Sequence, residues 1–262
     1  MVSRNPTDEP PVQAVAHAFD VLELLAAGGP RMLGQIAAET GRSKATTHRL
    51  LATLVARGYA EQDARTGAYR PGLRCAELGM TVLAGLRLGD IARPHLEELN
   101  ARTGEVVHLC VYDLGDVVYL AKLDSRLPVA PQSRVGARAP AHCVAPGRAL
   151  LAHQPPDELA RVAETGLRAY TEHTITDPDD LARELRRVRE RGYAINESSW
   201  RPGVCGAGAV IRDYTGAPVA AVGCCVPESR FGADRRRELA AAVTAAAARI
   251  SADLGHREAA AR

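Results

Sequence analysis

The chain has 262 residues, of which 46% are hydrophobic and 24% charged, with two Phe and one Trp. Such a chain suits a soluble globular protein of one or two domains whose core is built from Ala, Leu and Val. A net charge of +2 does not announce a nucleic-acid partner, and no apolar run approaches the roughly 18 residues that a membrane span needs.

Residues 1–11 have no apolar signal-peptide core and read as a short disordered lead. The six cysteines (Cys75, Cys110, Cys143, Cys205, Cys224 and Cys225) show no C-x-x-C and no paired framework. They suit a reducing cytoplasm, as small buried hydrophobes. Residues 14–26 predict a first helix with Phe19, Leu22, Leu25 and Ala26 on its inner stripe, stopped by Gly28-Gly29-Pro30.

Residues 33–60 carry the most informative pattern. Two short amphipathic segments meet at Thr40-Gly41-Arg42-Ser43. In the first, Ile36 and Ala37 point inward. In the second, Leu50, Leu51, Leu54 and Val55 fall on one helix face, and Thr47 lies on the same buried side. Gly41 permits a tight turn and Ser43 is a good N-cap. This is a helix-turn-helix pattern, whose second helix is suited to a DNA major groove. Its outer side offers Arg42, Lys44 and Arg49, which can donate to phosphates or bidentately to guanine, and Ser43, Thr46 and His48, which can reach phosphates or base edges.

Two short strand-like runs around Asp63-Ala64-Arg65-Thr66-Gly67 predict a hairpin, which after a recognition helix is a wing. Arg65 at its tip either reaches a minor groove or a phosphate, or is an idle solvated arginine. Between Arg42 and Arg74 there are seven basic residues against two acidic ones, a local +5 that leaves −3 elsewhere. A basic patch confined to one module is the electrostatic footprint of phosphate binding. The DNA-binding module is therefore drawn over residues 12–72.

Residues 73–88 are apolar at helical spacing, weakened by Gly79 and Gly85, and predict a linker helix (73–89) that packs against something further, such as a second subunit. Asp90 is placed as the cap of a helix over 91–102. From Val106 the period changes: strands at 106–112 and 117–123 flank a turn at 113–116, and an edge strand is expected at 129–135. A loop at 136–140, helices at 147–153, 157–165 and 179–191, strands at 193–199, 205–211 and 219–226, and a closing helix at 235–254 complete the chain. The second module, 90–262, reads as an α+β sensor-like domain with an antiparallel sheet.

These stretches, in this order, resemble the IclR family of bacterial transcriptional regulators. The resemblance is carried by SKATTHRLLATLVARGY, the wing end Tyr69-Arg70-Pro71-Gly72, ARPHLEELNARTGEVVHL at 92–109, VGARAPAHCVAPGRALLAH at 135–153 and LARELRRVRERGYAINES at 181–198. It implies an N-terminal winged helix, a linker helix and a C-terminal GAF-like effector-binding domain. It also implies a homodimer, often a dimer of dimers, on a palindromic double-stranded DNA operator. An effector site is expected where Ala145, Pro146, Gly147 and Arg148 start a helix, whose free N–H groups favour an anion, with Asn196, Gly206, Gly223 and Cys225 across the pocket. Read without the resemblance, the latter four are ordinary strand residues.

The departures from the family pattern are specific. Arg148 stands for the usual lysine, Pro71 for a leucine, and Asn196 for an expected carboxylate, while Gly206, Gly223 and Cys225 replace small polar residues. The glycines are read as leaving room, which predicts an effector larger or less polar than pyruvate, such as an aromatic or acyl acid. Enzyme motifs are absent: there is no G-x-S-x-G, H-E-x-x-H or P-loop. A thiol-based redox sensor or enzyme using Cys143 or Cys205 is the alternative. No cofactor or metal is expected, because the eight His and six Cys show no ligand spacing.

Overall fold

The computed structural model of the chain describes residues 12–86, 88–128 and 131–257. The expected lead at 1–11 lies outside them. The chain divides into two units, the first ending at Leu86.

In the first unit, α1 (Gln13–Gly28), α2 (Leu33–Glu39) and α3 (Lys44–Ala56) precede a hairpin of β1 (Ala60–Gln62) and β2 (Tyr69–Pro71). The core is Val21, Leu25, Ile36, Leu51, Leu54, Ala60 and Tyr69. Two readings of the inward stripes need correction. On α1 the buried residues are Ala16, Val21 and Leu25, and Phe19 is 59% exposed beside exposed Val12 and Val15. This helix is apolar almost all round, so periodicity alone cannot choose its inner side. On α3 the inner side is Thr47, Leu51 and Leu54, while Val55 at its last turn is exposed.

The hairpin is extended by a third strand segment. Arg31 and Tyr69 exchange both backbone bonds, at 2.9 and 2.8 Å, so β2 is paired on both edges. At its base the two chains almost touch: a Cβ on Gly72 would lie 2.2 Å from the Gly58 carbonyl oxygen. Helix α4 (Leu73–Leu86) closes this unit, with Leu73 and Leu78 exposed.

The second unit is a six-stranded antiparallel sheet in the order β5-β4-β3-β8-β7-β6, flanked by helices on both faces. Its strands are β3 (Val106–Asp113), β4 (Asp116–Leu123), β5 (Arg138–Pro140), β6 (Ala194–Glu197), β7 (Val204–Arg212) and β8 (Pro218–Pro227). The β3–β4 turn has Leu114 and Gly115 both at positive φ, the geometry that follows the twist of a two-residue hairpin.

One sheet face buries Val107, Leu109, Ala207, Ala209, Ile211 and Val222 against α5 (Leu88–Thr103) and α9 (Ala233–Asp253). Leu239, Ala242, Val243, Ala246, Ala247 and Ile250 recur at helical spacing on α9, and the alanines let it approach the sheet closely. The opposite face is covered by α6 (Ala145–Leu151), α7 (Pro156–Glu164) and α8 (Pro178–Arg191). Buried Glu105 joins β3 to α9's start, receiving two bonds from Arg230 at 2.7 and 2.9 Å and lying 3.5 Å from Arg235.

The edge strand and the start of α5 differ most from expectation. The edge strand is β5 at 138–140, where a loop was expected; Pro131 to Val135 form no strand, and Val129 and Ala130 lie outside the described residues. Pro128 and Pro131 remove backbone donors there, which disfavours a ladder. Helix α5 begins at Leu88, so Asp90 sits in its first turn and is not its cap.

Candidate DNA-binding face and effector pocket

Helix α3 is capped by Ser43, whose Oγ accepts the Thr46 N–H at 3.1 Å and also lies 2.9 Å from Thr46 Oγ1. Ser43, Lys44, Thr46, His48 and Arg49 are all exposed along its outer side, while Thr47 is fully buried and donates to the Ser43 carbonyl at 3.0 Å. Arg42 is placed differently. Its guanidinium donates to Asp20 Oδ2 on α1 at 2.7 Å and to the Thr40 carbonyl at 2.8 Å, and its side chain is 16% exposed.

Arg65 is exposed at the hairpin tip, away from the α3 set in sequence but in the same unit. The tip is fixed by Asp63, which accepts the N–H groups of Arg65 and Thr66 at 2.9 and 2.8 Å. Those bonds hold the Asp63 carboxyl below its usual range. Arg70 is neutralised by Glu61 at 2.8 Å.

In the second unit α6 lies directly on the sheet. A Cβ on Gly208 would fall 2.5 Å from the Pro146 nitrogen, and one on Gly223 would fall 3.0 Å from Pro146 Cγ. The first turn of α6 therefore sits over β7 and β8. Beside it is a cavity of ≈ 70 Å³ lined by Ala145, Pro146, Asn196, Gly206, Gly223 and Cys225, with His108, Tyr119 and Trp200 as further walls. Six of the seven expected effector residues are thus brought together. Gly147 is not among them; its missing Cβ faces the Ala141 carbonyl oxygen at 2.5 Å, so it serves the packing of α6.

The roomy-glycine expectation fails for a physical reason. Gly206's missing side chain would strike the Cys224 carbonyl oxygen at 2.4 Å, and Gly223's is filled by Pro146. These glycines admit protein, not ligand.

Asn196 is already engaged: its amide nitrogen donates to the Val204 carbonyl at 3.2 Å and its Oδ1 accepts the Ser199 N–H at 2.9 Å. His108 and Tyr119 rings lie 4.5 Å apart, and His108 Nε2 is 2.6 Å from Ser133 Oγ. Burial, with Lys122 nearby, pushes His108 down to about 4, so it is neutral at pH 7. Arg201 stacks on Trp200 at 4.5 Å and donates to the Gln132 carbonyl at 3.3 Å. His108, Tyr119, Trp200 and Arg201 carry no motif at the sequence level. Strand alternation from Gly223 through its cross-strand partner His108 was the available signal.

Arg148 is also buried. Nε donates to the His142 carbonyl at 2.7 Å, Nη1 to the Ile195 carbonyl at 2.9 Å and Nη2 to Ser199 Oγ at 3.0 Å.

The cysteines of the second unit sit in unreactive surroundings. Burial pushes Cys143, Cys224 and Cys225 up to about 12 and raises Cys205, so none is a ready thiolate at neutral pH. Among the described residues no group of three or more His, Cys, Asp or Glu is placed to hold a metal ion. No helix there is long and apolar enough to cross a membrane.

Residues 14–64 match the IclR helix-turn-helix domain and residues 80–252 match the C-terminal domain of the bacterial transcriptional regulator IclR. Among similar proteins, the regulator BhcR of Paracoccus denitrificans is 32% identical, covering 94% of this chain and 89% of its own. The glycerol operon regulatory protein of Streptomyces coelicolor is 35% identical, covering 93% and 97%. An IclR homolog from Microbacterium hydrocarbonoxydans, solved in complex with 4-hydroxybenzoate, superposes with a TM-score of 0.82 at 27% identity, covering 92% of this chain and 98% of its own. With both modules matched in order over a helix-turn-helix and an antiparallel-sheet domain, this chain belongs to the IclR family of DNA-binding bacterial transcriptional regulators.

Proposed function

We propose that the chain is a cytoplasmic, metabolite-switched regulator that binds a palindromic operator as a homodimer or a dimer of dimers. The observation that carries the DNA end is the outer side of α3, where Ser43, Lys44, Thr46, His48 and Arg49 are exposed and have no acidic partner among the described residues. Lys44 and Arg49 are read as groove and phosphate contacts, and Arg65 as the wing contact. Arg42, tied to Asp20, holds the turn in place and contributes through that. One recognition helix reads only a few base pairs, so two copies are required. The exposed apolar residues at the start of α1 and on α4 (Val12 just before it, Val15, Phe19, Leu73, Leu78) support a subunit contact.

The effector is proposed to be a small organic acid with an aromatic or acyl body, held beside the first turn of α6. Support comes from the walls: Tyr119, Trp200, Pro131 and Pro146 are apolar faces, and Arg201 supplies a cation. A cavity of ≈ 70 Å³ holds only about two waters. Accommodating such an acid therefore requires the Ser133–His108 and Arg201–Gln132 bonds to yield. The 4-hydroxybenzoate complex of the Microbacterium homolog is in keeping with this class.

The test is a footprint of the DNA upstream of the chain's own gene and its neighbours, with and without aromatic and short acids. Protection of paired half-sites that an aromatic or acyl acid alters is the expected result. A thermal-shift screen in which two- and three-carbon acids alone stabilise the protein would remove the aromatic class.

A further inference from the structure

Strand β6 has two sides. Asn196 faces the effector pocket, while its neighbours Ile195 and Glu197 line a separate cleft of ≈ 420 Å³. That volume suits a small metabolite. The cleft's charged lining is Arg148, Arg191 and Arg236 against Glu184 and Glu197, one positive charge in excess. The two carboxylates are each committed: Glu184 to Arg191 at 2.7 Å and Glu197 to Arg236 at 2.6 Å.

The uncompensated charge is Arg148, which is 5% exposed. Among the described residues no carboxylate lies within 4.0 Å of it; its partners are two carbonyls and a hydroxyl. A guanidinium carries five N–H donors, and three are used here, one on each nitrogen, leaving one N–H on each Nη without an acceptor among the described residues. A buried cation without a counter-ion is costly, and burial depresses the Arg148 pKa accordingly. An oxyanion is the group that this position lacks. The rest of the cleft supplies an apolar surface from Ile175, Tyr193 and Ile195.

We propose that this cleft is a second ligand site, which takes a small carboxylic acid with its carboxylate on Arg148 and its apolar body against Ile175, Tyr193 and Ile195. The site shares a wall with the effector pocket. Arg148 holds Ser199 Oγ, the Ser199 N–H is held by Asn196, and Trp200 follows directly. An acid that draws on Arg148 therefore acts on the residues that shape the first pocket, and effector and second acid alter each other's affinity by the same factor.

The test is a ¹⁹F NMR titration of the full chain with 4-fluorobenzoate. Cys225→Leu fills the effector pocket, so binding that persists in this background is assigned elsewhere. We expect saturable binding to persist in Cys225→Leu. Adding His173→Glu, an exposed change at the cleft, should weaken it about threefold or more by repulsion. Adding Arg148→Met should abolish it; should that variant fail to fold, the His173→Glu comparison decides. Loss of all saturable binding in Cys225→Leu up to about 10 mM overturns the second site and leaves the effector reading standing. Persistent binding indifferent to His173→Glu overturns it as well.

Discussion

Arg42 Nη2 donates to Asp20 Oδ2 at 2.7 Å, tying the helix-turn-helix turn to α1 across 22 positions of chain. The same guanidinium caps the Thr40 carbonyl at 2.8 Å. Arg42 and Arg49 are both arginines on a basic stretch, yet only Arg49 projects from the outer side of α3 into solvent.

This contrast makes a paired prediction. Arg42→Met should cost about 1 kcal/mol of stability, since a partly exposed charged pair and one carbonyl bond are lost. Arg49→Ala should stay within about 0.5 kcal/mol of the parent while weakening operator binding. Urea unfolding and gel-shift titration at one fixed salt concentration measure the two effects. Arg49→Ala with unchanged operator affinity takes Arg49 off the reading face.

Glycine substitutions should separate with opposite signs. Gly208→Ala drives a Cβ into the Pro146 backbone at 2.5 Å, so about 1–3 kcal/mol of destabilisation is expected. Gly79→Ala lies in helix α4 with nothing within 4 Å of the new methyl, and should stabilise by about 0.5–1 kcal/mol. Thermal melts of the two single variants provide the comparison.

Acid should destabilise the second unit through His108. Its pKa falls from 6.5 unfolded to about 4 folded, so between those values the unfolded chain binds the extra proton and the folded one does not. Stability therefore drops as pH falls from about 6.5 towards 4 and levels off below, by up to about 3 kcal/mol from this residue. His153, also near 4, shares the window. The informative quantity is the difference between parent and His108→Gln across pH 4 to 7. A parallel pair of stability curves would show that His108 does not titrate this way.

The sequence exposed most of the architecture for identifiable reasons. β-rich runs located β3, β4, β7 and β8, and a helix read over 179–191 located α8, whose caps the structure places at Asp177 and Gly192. On α1, by contrast, Val12, Val15 and Phe19 and the buried Val21 and Leu25 are all apolar, and choosing the inner side needs the packed neighbours. Of the residues lining the cavity beside α6, Asn196 and Cys225 were singled out in the sequence, but Trp200 and Tyr119 were not. Those two arrive through long-range pairing and a corner held by Thr171 and Thr174 bonds to the Ser198 and Ser199 carbonyls. Gly206 and Gly223 do line the cavity beside α6, yet they do not open it, because one chain cannot reveal whether missing volume is filled by ligand or by a proline ring.

The buried Glu105 and its two arginines offer a further check. Glu105 is fully buried between Arg230 and Arg235, so Glu105→Gln should cost about 2–3 kcal/mol, discounted for the partial exposure of both arginines. Differential scanning calorimetry of the full chain should show the loss in the second unit's transition, and a melt identical to the parent would refute it.

The two backbone bonds between Arg31 and Tyr69 make the wing something other than a loose arm. Because β2 is clamped on one edge by β1 and on the other by the segment joining α1 to α2, the hairpin cannot swing about its base without breaking a ladder. On the contacts proposed above, Arg49 and Arg65 would act as the fixed jaws of a caliper. A base pair inserted between the segment under α3 and the flank under the wing should be as damaging as changing a contacted base, because neither jaw can follow the displaced phosphates.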